Sequence, residues 1–376
     1  MSTGAGSGGD TRQDRSHALY GADPATLWRV WRASGGIAPG QRLRFAGAFG
    51  AAAGRLPFTL AEKAYTAARR GSVADAPAPV FILGHWRSGT THLYNVLSKS
   101  PELAYVSPFA TALPWDFLLL GRMLQPMLAK KLPERRYIDN VAVEPTSPQE
   151  DEIALANMTD LSFYHALYFP QRFHAYFNRG VFLDGVGDAE RAAWEAKLRL
   201  LYDKLMLAQP GRRLVIKNPV YTARVAQLRR MWPDAKFIHI HRTPFKVFPS
   251  MRNFYTALFK QFALQDYSEV DIDEVILATY ERMMGNLVAD TADLPADQFV
   301  ELSFSELQQA PMDSLARIYD RLGLDGFDRA APQFSAYLDS VADYRKNSYS
   351  HPQEVVDKVA ARWAPYIDRW GYGAEA

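Results

Sequence analysis

Four short apolar runs stand out along the chain: Val80-Phe-Ile-Leu83, Leu214-Val-Ile216, Lys236-Phe-Ile-His-Ile240 and a run near residue 298. Short runs rich in β-branched and aromatic residues predict buried strands. The long stretches between them carry helical spacing, so the strands are expected to be joined by crossovers. That predicts an α/β fold with a central parallel sheet and helices on both faces. Two other apolar stretches fit no strand. Phe45 to Gly54 (FAGAFGAAAG) is closed by Arg55 and is too short to span a bilayer. It reads either as part of an amphipathic helix on a membrane surface, with Arg42, Arg44 and Arg55 beside it, or as a small-residue helix packed on the body of the protein. Pro108–Tyr137 holds Trp115, Phe117, Leu118, Leu119, Leu120, Met123, Met127 and Leu128, then the basic cluster Lys130, Lys131, Arg135 and Arg136. A Met- and aromatic-rich stretch of this kind is either core or the lining of an apolar pocket.

The chemistry begins where the first strand ends, in Gly84-His-Trp-Arg-Ser-Gly-Thr-Thr-His92. Gly84 and Gly89 have the G-x-x-x-x-G spacing of a phosphate cradle, but Thr90-Thr91 stands where an ATP-binding loop has Lys-Ser or Lys-Thr. The basic residue is Arg87, inside the loop. Glycines let successive N–H groups face one point, and a helix starting near Thr90 adds its positive end. The segment is thus expected to bind an anion through Arg87, Ser88, Gly89, Thr90, Thr91 and His92. The plain alternative is a strand–turn–helix whose glycines only make the turn, which leaves one Arg and three hydroxyls unexplained.

Arg87-Ser-Gly-Thr-Thr91 after a strand resembles the 5′-phosphosulfate loop of sulfotransferases that use 3′-phosphoadenosine 5′-phosphosulfate (PAPS). Lys217-Asn-Pro-Val-Tyr-Thr-Ala-Arg224 follows the second strand in the family's order. His241-Arg-Thr-Pro-Phe-Lys-Val-Phe-Pro-Ser250 is similar to its 3′-phosphate site, an Arg with a Ser eight residues later. Glu301-Leu-Ser-Phe-Ser-Glu-Leu307, Pro311 and Ile318-Tyr-Asp-Arg-Leu-Gly-Leu324 resemble the strand and helix that follow. The likeness runs from about Val80 to the C-terminus. It implies a single P-loop-like domain over 79–376, after a disordered Gly/Ser-rich tail (1–16) and an N-terminal helical region (17–78), with further helical additions on the acceptor side.

Sulfuryl transfer places charge on the bridging oxygen of the leaving phosphate, so a cation and hydroxyls should converge there. Arg87, Thr90 and Thr91 fit that need. Lys217 lies just past a strand end, where open α/β sheets bind ligands, and by resemblance it reaches the same leaving group. The resemblance also assigns Arg242 and Ser250 to the 3′-phosphate, and Arg345, Lys346 and Asn347 to a late basic element that closes over the cosubstrate; those last residues read equally as a solvated face.

The proton acceptor is the open question. The cytosolic members' histidine is absent, because Pro219 follows Asn218, and the bacterial branch's histidine is Tyr221 here. That turns attention to Ser147-Pro-Gln-Glu-Asp-Glu152, a pattern the same branch carries. Glu150 is the first candidate base and Glu152 the second, with His85, His92 and Tyr221 behind them. The alternative is a capping box of Ser147 with Glu150, with Pro148 in the first helical turn. Phe304 replaces the tyrosine that many relatives set near the adenine.

Composition narrows the partners. A formal net charge of +2 over 376 residues does not point to nucleic acid. The lack of cysteine excludes disulfides and cysteine–zinc sites and fits a cytoplasmic protein; no metal is expected. No basic-then-apolar signal sequence is present, and contact with a membrane periphery is the further option. The acceptor expected is a small molecule or lipid with a hydroxyl, a hydrophobic alcohol ahead of a polar sugar. Two other readings stay open: a non-catalytic member that binds 3′-phosphoadenosine 5′-phosphate (PAP) or a partner protein, and a small-molecule kinase.

Overall fold

The computed structural model describes residues 17–129, 147–342 and 353–375. Five strands form one sheet in the order β2-β3-β1-β4-β5. They are β1 (Val80–Leu83), β2 (Leu103–Ala104), β3 (Arg213–Lys217), β4 (Lys236–His241) and β5 (Phe299–Ser303). All pairings are parallel. The apolar runs anticipated four of the five. The fifth, β2, is only Leu103 and Ala104 set against Arg213 and Leu214, too short to leave a hydrophobic run.

Helices α1 (Pro24–Ala33) and α2 (Arg42–Arg69) precede the sheet, and α3 (Thr90–Leu97) follows β1. Each strand of the sheet's middle is buried on both faces, which is why its sequence reads as continuous rather than alternating apolar. Phe81, Leu83, Ile216 and Phe237 point into one core, with Trp194, Leu201 and Tyr202 of the helix Asp188–Ala208. Val80, Ile82, Val215 and Ile240 point into the other, with Leu93 and Val96 of α3 and Ile318 of the helix Pro311–Leu322. Burying a side chain of this size stabilises the fold by about 1.5–3 kcal/mol, so the strand alternation supplies both cores at once. In register, Ile82 lies opposite Lys217 and Ile238. The loops after β1, β3 and β4 therefore leave the sheet at the same end, the carboxyl end.

The apolar tract Phe45–Gly54 is the first half of α2, a 28-residue helix. Phe45, Ala48 and Ala52 face inward, followed at the same three- and four-residue spacing by Arg55, Thr59, Glu62 and Thr66. Arg55 pairs with buried Asp116 and donates to the carbonyls of Tyr20 (2.8 Å) and Ala22 (2.7 Å). Glu62 accepts from the amides of Leu118 (3.1 Å) and Leu119 (2.8 Å) and from Lys204 Nζ (2.8 Å). These bonds clamp the aromatic tract against α2: Trp115, Phe117, Leu118 and Leu120 are core, whereas Met123 and Met127 are exposed. Lys130, Lys131, Arg135 and Arg136 lie outside the described residues.

Candidate active site

The loop between β1 and α3 holds three residues with positive φ: Gly84 (+145°), Arg87 (70°) and Gly89 (+101°). A Cβ at Gly84 would overlap the Ile240 carbonyl oxygen, and one at Gly89 would overlap the Phe304 ring. Both positions therefore require glycine. Arg87 has no such freedom, and a left-handed non-glycine residue costs about 1–3 kcal/mol. Its side chain is fixed by Nε donating to Ser250 Oγ at 2.9 Å. Its carbonyl accepts from Arg242 Nη1 at 3.4 Å. The loop's base is tied down by Thr222, whose Oγ1 accepts from Gly84 N (2.8 Å) and donates to Gly84 O (3.2 Å). Ser88 is buried and its hydroxyl donates to His85 O at 2.7 Å, an internal loop bond. No side chain caps α3 behind Gly89, so its positive end is directed at the concavity of the loop.

Arg242 leaves the end of β4, and Ser250 lies on the helix Pro244–Phe262, with Pro244 in its first turn. Through Arg87 the two residues are joined to the loop rather than standing apart from it. The Arg242 guanidinium sits 5.0 Å from the Phe304 ring centre, and the His92 ring meets the same phenyl edge-on at 6.2 Å. Phe304 is thus a shared wall, touching the loop glycine, Arg242 and His92. Arg345, Lys346 and Asn347 fall outside the described residues.

The three acids after Pro148 are sent to different destinations. The capping box expected of Ser147 and Glu150 does not form: the helix is Glu152–Ala156, with Asp151 ahead of it. Glu150 instead pairs with Lys217, whose Nζ also donates to Thr91 Oγ1 at 3.3 Å. Both partners are largely buried, with side-chain exposures of 3% for Lys217 and 13% for Glu150. Loop hydroxyl, strand-end lysine and carboxylate therefore converge on one point.

Asp151 and Glu152 face the other way. Asn218 Nδ2 donates to Asp151 Oδ1 (2.9 Å) and Glu152 Oε2 (2.8 Å), while its own Oδ1 accepts from Val220 N (3.1 Å). Tyr202 (2.8 Å) and Tyr221 donate to Asp151 Oδ2. Ser162 (2.7 Å) and the Phe163 amide (3.1 Å) complete Glu152. Burial pushes the Asp151 carboxyl up to about 7, against the Tyr221 hydrogen bond and together with the Glu152 charge. Burial raises Glu152 as well, opposed by Arg224 and by its hydrogen bonds. Glu152, at 1% exposure, serves this inner network and not the converging point.

Two of the other candidate bases, Tyr221 and His85, are similarly committed. Tyr221 is fully buried with its hydroxyl on Asp151. His85 is buried, with Nδ1 on the Trp86 carbonyl (3.0 Å) and its ring 5.0 Å from Tyr280; burial lowers its pKa to about 4. His239 is in the sheet core, where Nδ1 meets Glu301 Oε2 at 2.7 Å. His165 is buried between the carbonyls of Ala156 and Asp160, and His174 is exposed. Asn218, Asp151 and Thr222 are the positioning residues that the sequence reading passed over. Asn218 and Thr222 lie within Lys217–Arg224 and Asp151 within Ser147–Glu152, but nothing in their spacing tells that Thr222 reaches across to the Gly84 backbone. Among the described residues, no group of three His, Asp or Glu could hold a metal ion.

A parallel sheet in this order, with a glycine loop, a strand-end lysine and an Arg–Ser pair gathered at its carboxyl end, is the P-loop-like frame of a transferase. The chain belongs to the sulfotransferase family, whose profile spans residues 79–329. It is 31% identical over 297 residues to omega-hydroxy-beta-dihydromenaquinone-9 sulfotransferase Stf3 of Mycobacterium bovis and of Mycobacterium tuberculosis, covering 79% of this chain and 76% of each relative. Its fold is also that of the crystal structure of sulfotransferase STF9 from Mycobacterium avium, with a TM-score of 0.68 at 17% identity over 92% of this chain and 89% of that one. Sulfotransferase STF1 from Mycobacterium tuberculosis superposes with a TM-score of 0.61 at 19% identity, over 90% of each chain.

Proposed function

We propose that this sulfotransferase takes the sulfuryl group from PAPS and delivers it to the hydroxyl of a lipid or other hydrophobic alcohol, releasing PAP. The bond between sulfur and the bridging phosphate oxygen breaks, the bond from sulfur to the acceptor oxygen forms, and the hydroxyl proton leaves to a base. The observation that carries the reading is Lys217 Nζ, which joins Thr91 Oγ1 at 3.3 Å and Glu150. One lysine thereby links the anion loop, where charge develops on the leaving phosphate, to a carboxylate able to take the acceptor proton. Arg87, Thr90, Thr91 and the start of α3 would neutralise the leaving group. Arg242 and Ser250 would hold the 3′-phosphate, and Phe304 would pack the nucleotide.

The residues present suit PAPS better than Mg-ATP. The loop has the glycine cradle and an arginine fork for oxyanions but no Gly-Lys-Ser/Thr. Support for a hydrophobic acceptor comes from the relatives' menaquinone-type substrate name. No helix among the described residues is long and apolar enough to cross a membrane.

The test is a thermal melt with PAP, and separately with ATP and magnesium. At a hundred times its Kd a ligand adds about 2.7 kcal/mol to the native state, which raises the melting point of a chain this size by a few degrees. A shift with PAP alone is expected, and a shift with Mg-ATP alone would overturn the donor assignment. Glu150→Gln should keep the PAP shift while transfer falls by roughly 100-fold or more. Transfer within tenfold of the wild type would remove Glu150 as the base.

A further inference from the structure

The second half of helix α2 is amphipathic in the reverse sense. Its inward positions from Arg55 onward are polar (Arg55, Thr59, Glu62, Thr66), whereas its outward positions carry Leu43, Leu56, Phe58, Leu60 and Tyr65, exposed by 83%, 42%, 36%, 57% and 37%. Small residues, mostly alanine and glycine, fill much of the rest of that surface. The sole acidic residue of the helix, Glu62, is buried on Lys204 and two amides. Every exposed charge on α2 is therefore basic: Arg42, Lys63 and Arg69. Glu62 also fixes the segment that leads into the helix Arg122–Ala129, where Met123 and Met127 are exposed by 69% and 48%.

A protein does not expose such a surface for packing reasons, since folding would bury the apolar stripe and leave Arg55 and Glu62 in water. A second copy is a poor occupant. A two-fold contact on this face would bring Arg42, Lys63 and Arg69 toward their own counterparts, with no acid on the helix to answer them. Apolar side chains on a helix whose exposed charges are Arg42, Lys63 and Arg69 match an anionic lipid surface, with the aliphatic groups below the headgroups and the cations among them.

We propose that the outward face of α2, with Met123 and Met127 beside it, is a docking surface for anionic membranes. The apolar tract picked out from the sequence, Phe45–Gly54, is not its centre, because Phe45, Ala48 and Ala52 point into the core; the face is richest at residues 56–65. The inference does not depend on the donor or acceptor assignment, since it is read without either.

The full chain would be floated with vesicles of pure phosphatidylcholine and with vesicles rich in phosphatidylglycerol, with no PAPS or PAP present. Binding to the anionic vesicles is expected, weakened by salt and much lower on phosphatidylcholine. Leu56→Glu with Leu60→Glu should reduce that binding by roughly 100-fold. Lys63→Glu should reduce it by a smaller factor, and on anionic vesicles alone. Because all three side chains are exposed, the variants should melt as the wild type does and keep its PAP shift, which separates this result from the fate of the donor assignment. Three outcomes would overturn the proposal: no flotation of the wild type, undiminished flotation of the leucine variant, or a concentration-dependent dimer that the leucine variant disperses.

Discussion

Replacing Asn218 by alanine is the sharpest test of how the site is held. Asn218 is fully buried, and its Nδ2 supplies hydrogen bonds to both Asp151 (2.9 Å) and Glu152 (2.8 Å). A hydrogen bond to a charged group contributes about 1.5–3 kcal/mol, so losing both at a pH where the acids are ionised should cost roughly 3–6 kcal/mol. That is a large part of a typical domain's 5–15 kcal/mol. The cost should depend on pH. Asp151 is raised from 3.8 to about 7, so its protonated form is favoured in the folded state; that stabilisation is fully present below about pH 4 and is lost as pH rises through about 7. Asn218 opposes the rise in both acids. Without it their folded pKa values climb further, and the deficit relative to wild type grows as pH rises beyond about 7. Urea unfolding of both proteins at about pH 5.5 and about pH 8.5 should therefore give a loss of about 1–2 kcal/mol in acid and severalfold more in base. Glu150 precedes this network, so transfer should suffer more than PAP affinity. An equal loss at both pH values, or a loss below about 1 kcal/mol in base, would refute the assignment of Asn218 as the clamp on two buried carboxyls.

Three further substitutions test the loop and its neighbours. Gly89→Ala forces a Cβ into the Phe304 ring at a φ of +101°, and should lower the melting point by several degrees and abolish the PAP shift; an intact shift would show the loop is not the anion site. Arg242→Ala should weaken PAP by about 10–100-fold, in line with a charged hydrogen bond, and adenosine 5′-phosphosulfate by much less. Some loss for both ligands is expected because Arg242 also braces the Arg87 carbonyl, but equal losses would end its 3′-phosphate role. Lys217→Met removes the cation between Thr91 and Glu150 and should cut transfer by roughly 100-fold or more, measured as sulfated product at saturating donor; near-normal turnover would place the leaving-group cation elsewhere.

Legibility in the sequence followed the physics of each part. β1, β3 and β4 were readable because a doubly covered parallel strand is apolar almost throughout, and the edge strand β5 was readable through buried Val300 and Leu302, while β2 was invisible because two residues carry no period. The loop glycines were readable because only glycine takes those backbone angles beside Ile240 and Phe304. The carboxylates were harder. Ser147-Pro-Gln-Glu150 satisfies the local rules of a helix start, and only Lys217, 67 residues away, overrides them. The orientation of α2 was unreadable for a related reason: its polar stripe is inside because Asp116, Lys204 and the Leu118 and Leu119 amides wait there. Long-range polar partners leave no periodic trace.

These exceptions share a logic. Local rules are broken at Arg87, which occupies a left-handed conformation without being glycine; at Glu150–Glu152, where a helix cap gives way to Lys217 on one side and the Asn218 network on the other; and in the second half of α2, whose inward positions are polar. Each departure costs free energy that the remainder of the fold offsets, and such departures concentrate where function constrains the chain. Arg87 is held by Ser250 and Arg242, so its strained conformation is fixed by the residues proposed for the far phosphate. If Arg242 and Ser250 hold a 3′-phosphate as proposed, a nucleotide engaging them would also bear on Arg87 through these two hydrogen bonds, without any movement of the sheet.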